Sequence, residues 1–219
     1  MLKGYKTLIF DFDGTLHQSM HIYEPAFRAA FRYLVEKHDA KEINWPYEAI
    51  KSYLGQNPKD MWASFGDQYS EPAKQEASQC ITHTMKALID EGKAKLYEGA
   101  LETLDALKKR GYTMLILSNT KSETMDKYRE LFELDRYFDR YICSDTVNYA
   151  PKEEVVQSLL CEYEGKFVII GDRHHDMRAG QENGITTIAC LYGFGHEDEF
   201  KNADIHIHDI RELMTLLKN

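Results

Sequence analysis

Five short apolar runs recur along the chain, each followed by a polar cluster and then by a helical pattern. They are Thr7–Phe12, Thr113–Ser118, Arg140–Asp145, Phe167–Asp172 and Thr186–Leu191. Most show little alternation of apolar and polar positions, as expected of strands covered by helices on both faces. Helical segments separate them. Leu101, Leu104 and Leu107 recur at helical spacing, with basic residues in the last turn and Gly111 as the stop. Thr120 and Glu123 are spaced as a capping box that opens the next helix. A later helix starting near Asp176 meets a left-handed stop at Asn183-Gly184. The alternation predicts an α/β fold whose core is a Rossmann-like, doubly wound parallel sheet with right-handed crossovers.

One interval breaks the rhythm. Between the first run and the second lie about a hundred residues, too many for a single crossover helix. Inside it, Met20, Tyr23, Phe27, Phe31, Leu34 and Val35 share one helical face. Further helical patterns occupy residues 46–54, 59–65 and 72–92. Residues 16–92 are therefore expected to form an inserted helical domain, with residues 1–15 and 93–219 as the α/β core. Phe27, Phe31 and Tyr33 are expected to be the insert's own core. Gly55, Lys59 and Trp62 mark a candidate specificity loop.

Charge and composition narrow the functional classes. The 219 residues carry a formal net charge of -9, which argues against general binding of a nucleic-acid backbone. No run approaches the ~18 apolar residues of a membrane span, and the charged start of the chain does not resemble a signal peptide. Cys80, Cys143, Cys161 and Cys190 are scattered and form no CxxC. They are expected to be buried, reduced thiols in a cytoplasmic protein. A monomer is expected, since no heptad pattern stands out, although a dimer stays open.

Ligands of open α/β sheets bind beyond the carboxyl ends of the strands, so the polar residues ending each run are the candidates. Asp11 and Asp13 end the first, Ser118 and Asn119 the second, and Asp172 and Asp176 follow the fourth. Lys152 comes after the third. Asp11 and Asp13 face the same way only if the chain turns after Asp11, and Gly14 supplies the freedom to do so. Carboxylates gathered on one rim repel unless a cation joins them, and oxygen-only ligands favour a hard ion such as Mg²⁺. A carboxylate beside such an ion is a possible nucleophile toward phosphorus. A lysine and the amides of a Ser-Asn turn suit a phosphoryl group's oxygens.

These residues in this order, "DFDGTL", "LSNT", a following lysine and "GDRHHD", resemble the four motifs of the haloacid dehalogenase superfamily. The helical insert after the first motif is similar to the cap of its C1 branch, and the tail resembles the phosphoglycolate-phosphatase-like group. The resemblance implies a Mg²⁺-dependent phosphatase of small phosphorylated metabolites. Asp11 would be the nucleophile and a metal ligand. Asp13 would be the general acid and base, lending its carbonyl to the metal. Ser118 and Asn119 would bind phosphate, Lys152 would steady the phosphoryl group, and Asp172 would ligate Mg²⁺. Asp176 would act through water or as an acceptor behind the ligands. Pro151 precedes Lys152 where many relatives have proline after the lysine, so Lys121 competes for the role. Gln18 stands where an acidic residue is common.

The same core is compatible with a phosphomutase similar to β-phosphoglucomutase, a pyrophosphatase or a 5′-nucleotidase, and with a non-catalytic sensor of phosphate esters. Adjacent His174 and His175 should diverge and not chelate one ion. His206 and His208 read as edge residues of a short strand. His17 and His21 read as solvated, with the cleft as the alternative.

Overall fold

The computed structural model describes residues 4–54, 56 and 58–218. The chain divides into two compact units, Met1–Gln18 with Leu96–Asn219, and Ser19–Lys95. Both boundaries fall three residues beyond the expected ones. His17 and Leu96 explain the shift, because they form a bridge that keeps the exit and return of the chain within the α/β unit.

In chain order, the elements begin with β1 (Tyr5–Phe10). Helices of the insert follow: α1 (Met20–His38), α2 (Tyr47–Lys51), α3 (Pro58–Ala63) and α4 (Glu71–Asp90). The α/β unit resumes with α5 (Ala100–Lys109), β2 (Thr113–Ser118), α6 (Ser122–Phe132) and β3 (Arg140–Cys143). It continues with α7 (Lys152–Glu162), β4 (Lys166–Gly171), α8 (His174–Glu182) and β5 (Thr186–Cys190). A short β6 (Ile205–Ile207) and α9 (Leu213–Leu216) close it.

Among the described residues the six strands are all parallel, in the order β3-β2-β1-β4-β5-β6. The chain winds outward from β1 through β2 to β3, then returns to β4 on the other side of β1. The β1/β4 pair is thus the topological switch point, where the connections diverge and leave a crevice. Register fixes what faces that crevice: Phe10 pairs with Ile170, so Asp11 and Asp172 emerge on neighbouring strands. The strands hold because both faces are covered. Ile9, Leu115 and Ile169 form one packed cluster with Val156 and Leu159 of α7, each worth about 1.5–3 kcal/mol of burial.

The insert has its own core. α1 buries Met20, Ile22, Tyr23, Ala26, Phe27, Ala30, Phe31 and Leu34 and packs along α4. Phe31 lies within 6.2 Å of the rings of Phe27, Trp45, Trp62, Phe65 and Tyr69, centroid to centroid. Two expectations change here. Tyr33 is half-buried and donates its hydroxyl to Glu76, 2.9 Å away, instead of joining that cluster. Trp62 is a buried member of the cluster, its indole donating to Ser78 Oγ, and so is not on a specificity loop. Gly55 lies outside the described residues.

No helix among the described residues is long and apolar enough to cross a membrane. All four cysteines are free, but only Cys143 and Cys190 are buried, and Cys161 is exposed on α7.

Candidate active site

Four of the residues picked out by sequence converge at the switch point. The Lys152 ammonium lies 2.6 Å from Asp11 Oδ1 and 2.6 Å from Asp176 Oδ1. Carboxylate oxygens of Asp11, Asp172 and Asp176 lie within 4.8 Å of one another, and all three residues are buried. Lys152 opens α7, and its side chain is 7% exposed. Lys121, the competing amine, is exposed just ahead of α6.

Two glycines make the convergence possible. Gly14 has φ +87°, and a Cβ there would stand 2.0 Å from Asp172 Oδ2. At Gly171 a Cβ would stand 2.2 Å from Asp176 Cγ. Close approach of side chains therefore requires both glycines, and at Gly14 the positive φ adds a demand for backbone freedom.

Asp172 is fully buried and held by two donors, the Phe194 amide at 2.7 Å and, more weakly, the Thr15 hydroxyl at 3.4 Å. Asp176 has a structural task besides its contact with Lys152. Its Oδ2 accepts the Arg173 amide at 3.1 Å, capping α8. Asp11 has its second oxygen without a hydrogen bond among the described residues, and the residue is 7% exposed.

Burial raises the Asp11 carboxyl to about 7, with Lys152 opposing and Asp176 reinforcing the shift. Burial, with Asp11 and then Asp176 beside it, raises Asp172 well above the usual carboxylate range. Lys152 is pushed down by its burial, but Asp11 and Asp176 more than reverse this and keep the ammonium charged. With all three carboxylates ionised, the single ammonium would leave two negative charges unbalanced. A divalent cation supplies that balance, and an oxygen-only donor set suits a hard one. The residues present therefore fit a metal of this kind.

Asp13 sits beside this cluster rather than in it. Its Oδ1 lies 2.9 Å from His17 Nδ1, and its Oδ2 accepts the Thr120 hydroxyl at 2.5 Å. The expected Thr120–Glu123 capping box is thereby absent. Lys121 is the N-cap residue of α6 and has no side-chain cap bond, while Asp145 receives both the amide and hydroxyl of Ser122, at 2.8 and 2.6 Å. Ser118 is buried, its Oγ accepting the Thr120 amide at 3.1 Å, and the Asn119 carbonyl accepts from Ser144 at 2.8 Å. The Ser-Asn turn is thus braced from the turn that follows β3, and the amides of Thr120 and Ser122 beside it are already engaged.

Residues 8–190 match the sequence profile of the haloacid dehalogenase-like hydrolases. The chain belongs to this family of hydrolases. Pyrophosphatase PpaX of Bacillus thuringiensis, strain Al Hakam, is 26% identical over 220 aligned positions, covering 97% of this chain and 96% of that protein. Among solved structures, a predicted phosphoglycolate phosphatase from Haemophilus somnus superposes with a TM-score of 0.83 at 16% identity, covering 98% of both chains. A predicted phosphatase from Clostridium acetobutylicum gives 0.81 at 23% identity, covering 97% of this chain and 98% of that one. The six-stranded parallel sheet is thus the fold of haloacid dehalogenase-like proteins.

Within this family member several neighbours of the site escaped the sequence reading. Thr15, Thr120, Ser144 and the Phe194 amide all bond to the motif residues or their turn, yet nothing in their residue type announces it. His17, for which the cleft was the alternative to solvent, bonds to Asp13. His17 is fully buried rather than solvated, and His21 is exposed. His174 and His175 do not diverge: their rings lie 3.7 Å apart, because Glu199 accepts from the His174 amide and lies 3.0 Å from its Nδ1. His206 is tied to the Phe200 carbonyl on edge strand β6.

Proposed function

We propose that this hydrolase is a Mg²⁺-dependent phosphatase of small phosphate monoesters, working through an aspartyl-phosphate on Asp11. The observation that carries the reading is the Lys152 bridge. An ammonium clamped between Asp11 and Asp176 fixes one oxygen of Asp11 and leaves the other to attack. Asp11 and Asp172 would hold the ion, with the Asp13 carbonyl, and Asp176 would act from behind them through Lys152. When bound, Mg²⁺ supplies positive charge to the phosphoryl oxygens and to the attacking carboxylate.

The remaining chemistry belongs to the chain. Asp11 Oδ2 attacks phosphorus in line, and the bond from phosphorus to the leaving oxygen breaks. Asp13 gives its proton to that oxygen, so the product leaves as an alcohol. Water then attacks the acyl phosphate, Asp13 takes its proton, and inorganic phosphate leaves with the Asp11 carboxylate restored. Lys152 stabilises the negative charge shared by Asp11 and the phosphoryl group, and Ser118 with Asn119 orients its oxygens.

Pyrophosphate is a second candidate substrate, supported by the PpaX relative matching nearly the whole chain. Its leaving group is itself a phosphate, which departs with less need of a proton than an alkoxide. Phosphate release should be measured with Mg²⁺ against 2-phosphoglycolate, a 5′-nucleotide, a hexose phosphate and pyrophosphate. Turnover lost in both EDTA and Asp11→Asn is expected. Full activity of Asp11→Asn would overturn the mechanism, and transfer to the sugar rather than to water would make the protein a mutase.

A further inference from the structure

We propose that His17 is a positioning residue for Asp13, holding the general acid in the plane from which it protonates the leaving group. The inference rests on the phosphatase reading and adds a residue to it. His17 is fully buried, and its Nδ1 lies 2.9 Å from Asp13 Oδ1. Its ring stacks on Phe12 at 5.3 Å and lies 4.7 Å from the ring of Tyr128. An imidazole in such an aromatic box cannot swing to another rotamer without a collision.

The backbone fixes it further. The His17 amide donates to the Phe12 carbonyl, and the His17 carbonyl accepts from the Gly14 amide, both at 2.9 Å. His17 is thus tied to the two chain neighbours of Asp13 as well as to Asp13 itself. Thr120 grips the opposite oxygen from another segment, at 2.5 Å. A hydroxyl can donate to a carboxylate or accept from a carboxylic acid by rotating, whereas the packed imidazole is rigid. The rigid partner therefore sets the plane, and the oxygen on the Thr120 side is the one that exchanges its proton with substrate.

A merely structural histidine would slow every substrate alike. A positioning one matters in proportion to the leaving group's need of a proton. The test compares kcat/KM, which stops at formation of the aspartyl-phosphate, for ethyl phosphate and a series of substituted phenyl phosphates including 4-nitrophenyl phosphate. His17→Phe keeps the aromatic packing and removes Nδ1. Its loss should reach roughly 30- to 100-fold on ethyl phosphate, the scale of a displaced catalytic group, and should be at least tenfold smaller on 4-nitrophenyl phosphate. The plot of log kcat/KM against leaving-group pKa should steepen.

Two further variants remove dependence on one replacement. His17→Asn places an amide where Nδ1 was and should recover most of the wild-type slope. His17→Gln places it near Nε2 and should not. Equal losses on both esters, or no difference between the Asn and Gln variants, would overturn the role of His17 while leaving the phosphatase reading intact. Absence of any Asp11-dependent release by the wild type would overturn both.

Discussion

Replacing Lys152 by methionine keeps an unbranched apolar stem but deletes the ammonium that lies 2.6 Å from both Asp11 and Asp176. Water cannot make up the charge, because Asp11, Asp172 and Asp176 are 7%, 0% and 1% exposed. The folded variant must therefore carry one proton more than the wild type in the absence of metal. Taking that proton from solution costs 2.303RT for each pH unit above an ordinary aspartate value. That is about 5 kcal/mol at pH 7.5 and about 1 to 2 kcal/mol at pH 5. The first figure sits at the top of the ~3–5 kcal/mol seen when one partner of a buried ion pair is removed. A carboxyl whose folded pKa is raised gives stability that is full below its ordinary value and lost as pH climbs through the raised one. The penalty therefore grows upward from about pH 4. At about 2–4 °C per kcal/mol for a chain of this size, Lys152→Met should lower the melting temperature by roughly 10–20 °C at pH 7.5 and by only a few degrees at pH 5. Circular-dichroism melts in EDTA, with exposed Lys121→Met as control, measure both. Equal drops at the two pH values, or a comparable drop in the control, would refute the charge argument.

Three other outcomes follow from the same geometry. Mg²⁺ at ~100 times its dissociation constant should stabilise the wild type by about 3 kcal/mol, seen as a rise in Tm at pH 7.5 that shrinks at pH 5 and disappears in Asp172→Asn; a rise in that variant equal to the wild type's would count against Asp172 as a ligand. Gly14→Ala forces a methyl to within 2.0 Å of Asp172 Oδ2 at φ +87°, and kcat/KM should drop by roughly 100-fold or more; activity near wild type would mean that the turn relaxes freely. Tyr128 is fully buried with a hydroxyl that has no hydrogen-bond partner among the described residues, so Tyr128→Phe should be neutral or stabilising by ~1–2 kcal/mol in chemical denaturation, and a clear loss of stability would expose an unseen partner for the hydroxyl.

The sheet was legible because doubly covered strands leave unbroken apolar runs, and "TLIF", "TMLILS" and "FVII" are such runs. Their order was not, since placing β4 beside β1 depends on which crossovers pack, a tertiary fact with no local signature. Asp11, Lys152, Asp172 and Asp176 could be singled out because strand ends with carboxylates and a lysine are conspicuous in sequence. The bonds among the site's neighbours could not. Thr120 satisfies a helix-cap pattern equally well in sequence, yet its hydroxyl goes to Asp13, 107 residues away in the chain. His17 looks like any polar residue after a turn, and only the surrounding rings of Phe12, Tyr128 and Phe132 show it to be interior. Cys161 failed for the opposite reason: apolar neighbours on α7 suggested burial, but its own position faces outward.

The 2.7 Å bond from the Phe194 amide to Asp172 Oδ2 gives the site a built-in observer. An amide proton aimed at a carboxylate oxygen is sensitive to whether that oxygen is charged, protonated or drawn toward a cation. In a ¹⁵N-labelled sample, the Phe194 cross-peak should therefore move when Mg²⁺ is titrated in, and this requires neither substrate nor turnover. One backbone resonance could then follow the arrival of the ion in variants too impaired to assay, such as Asp11→Asn.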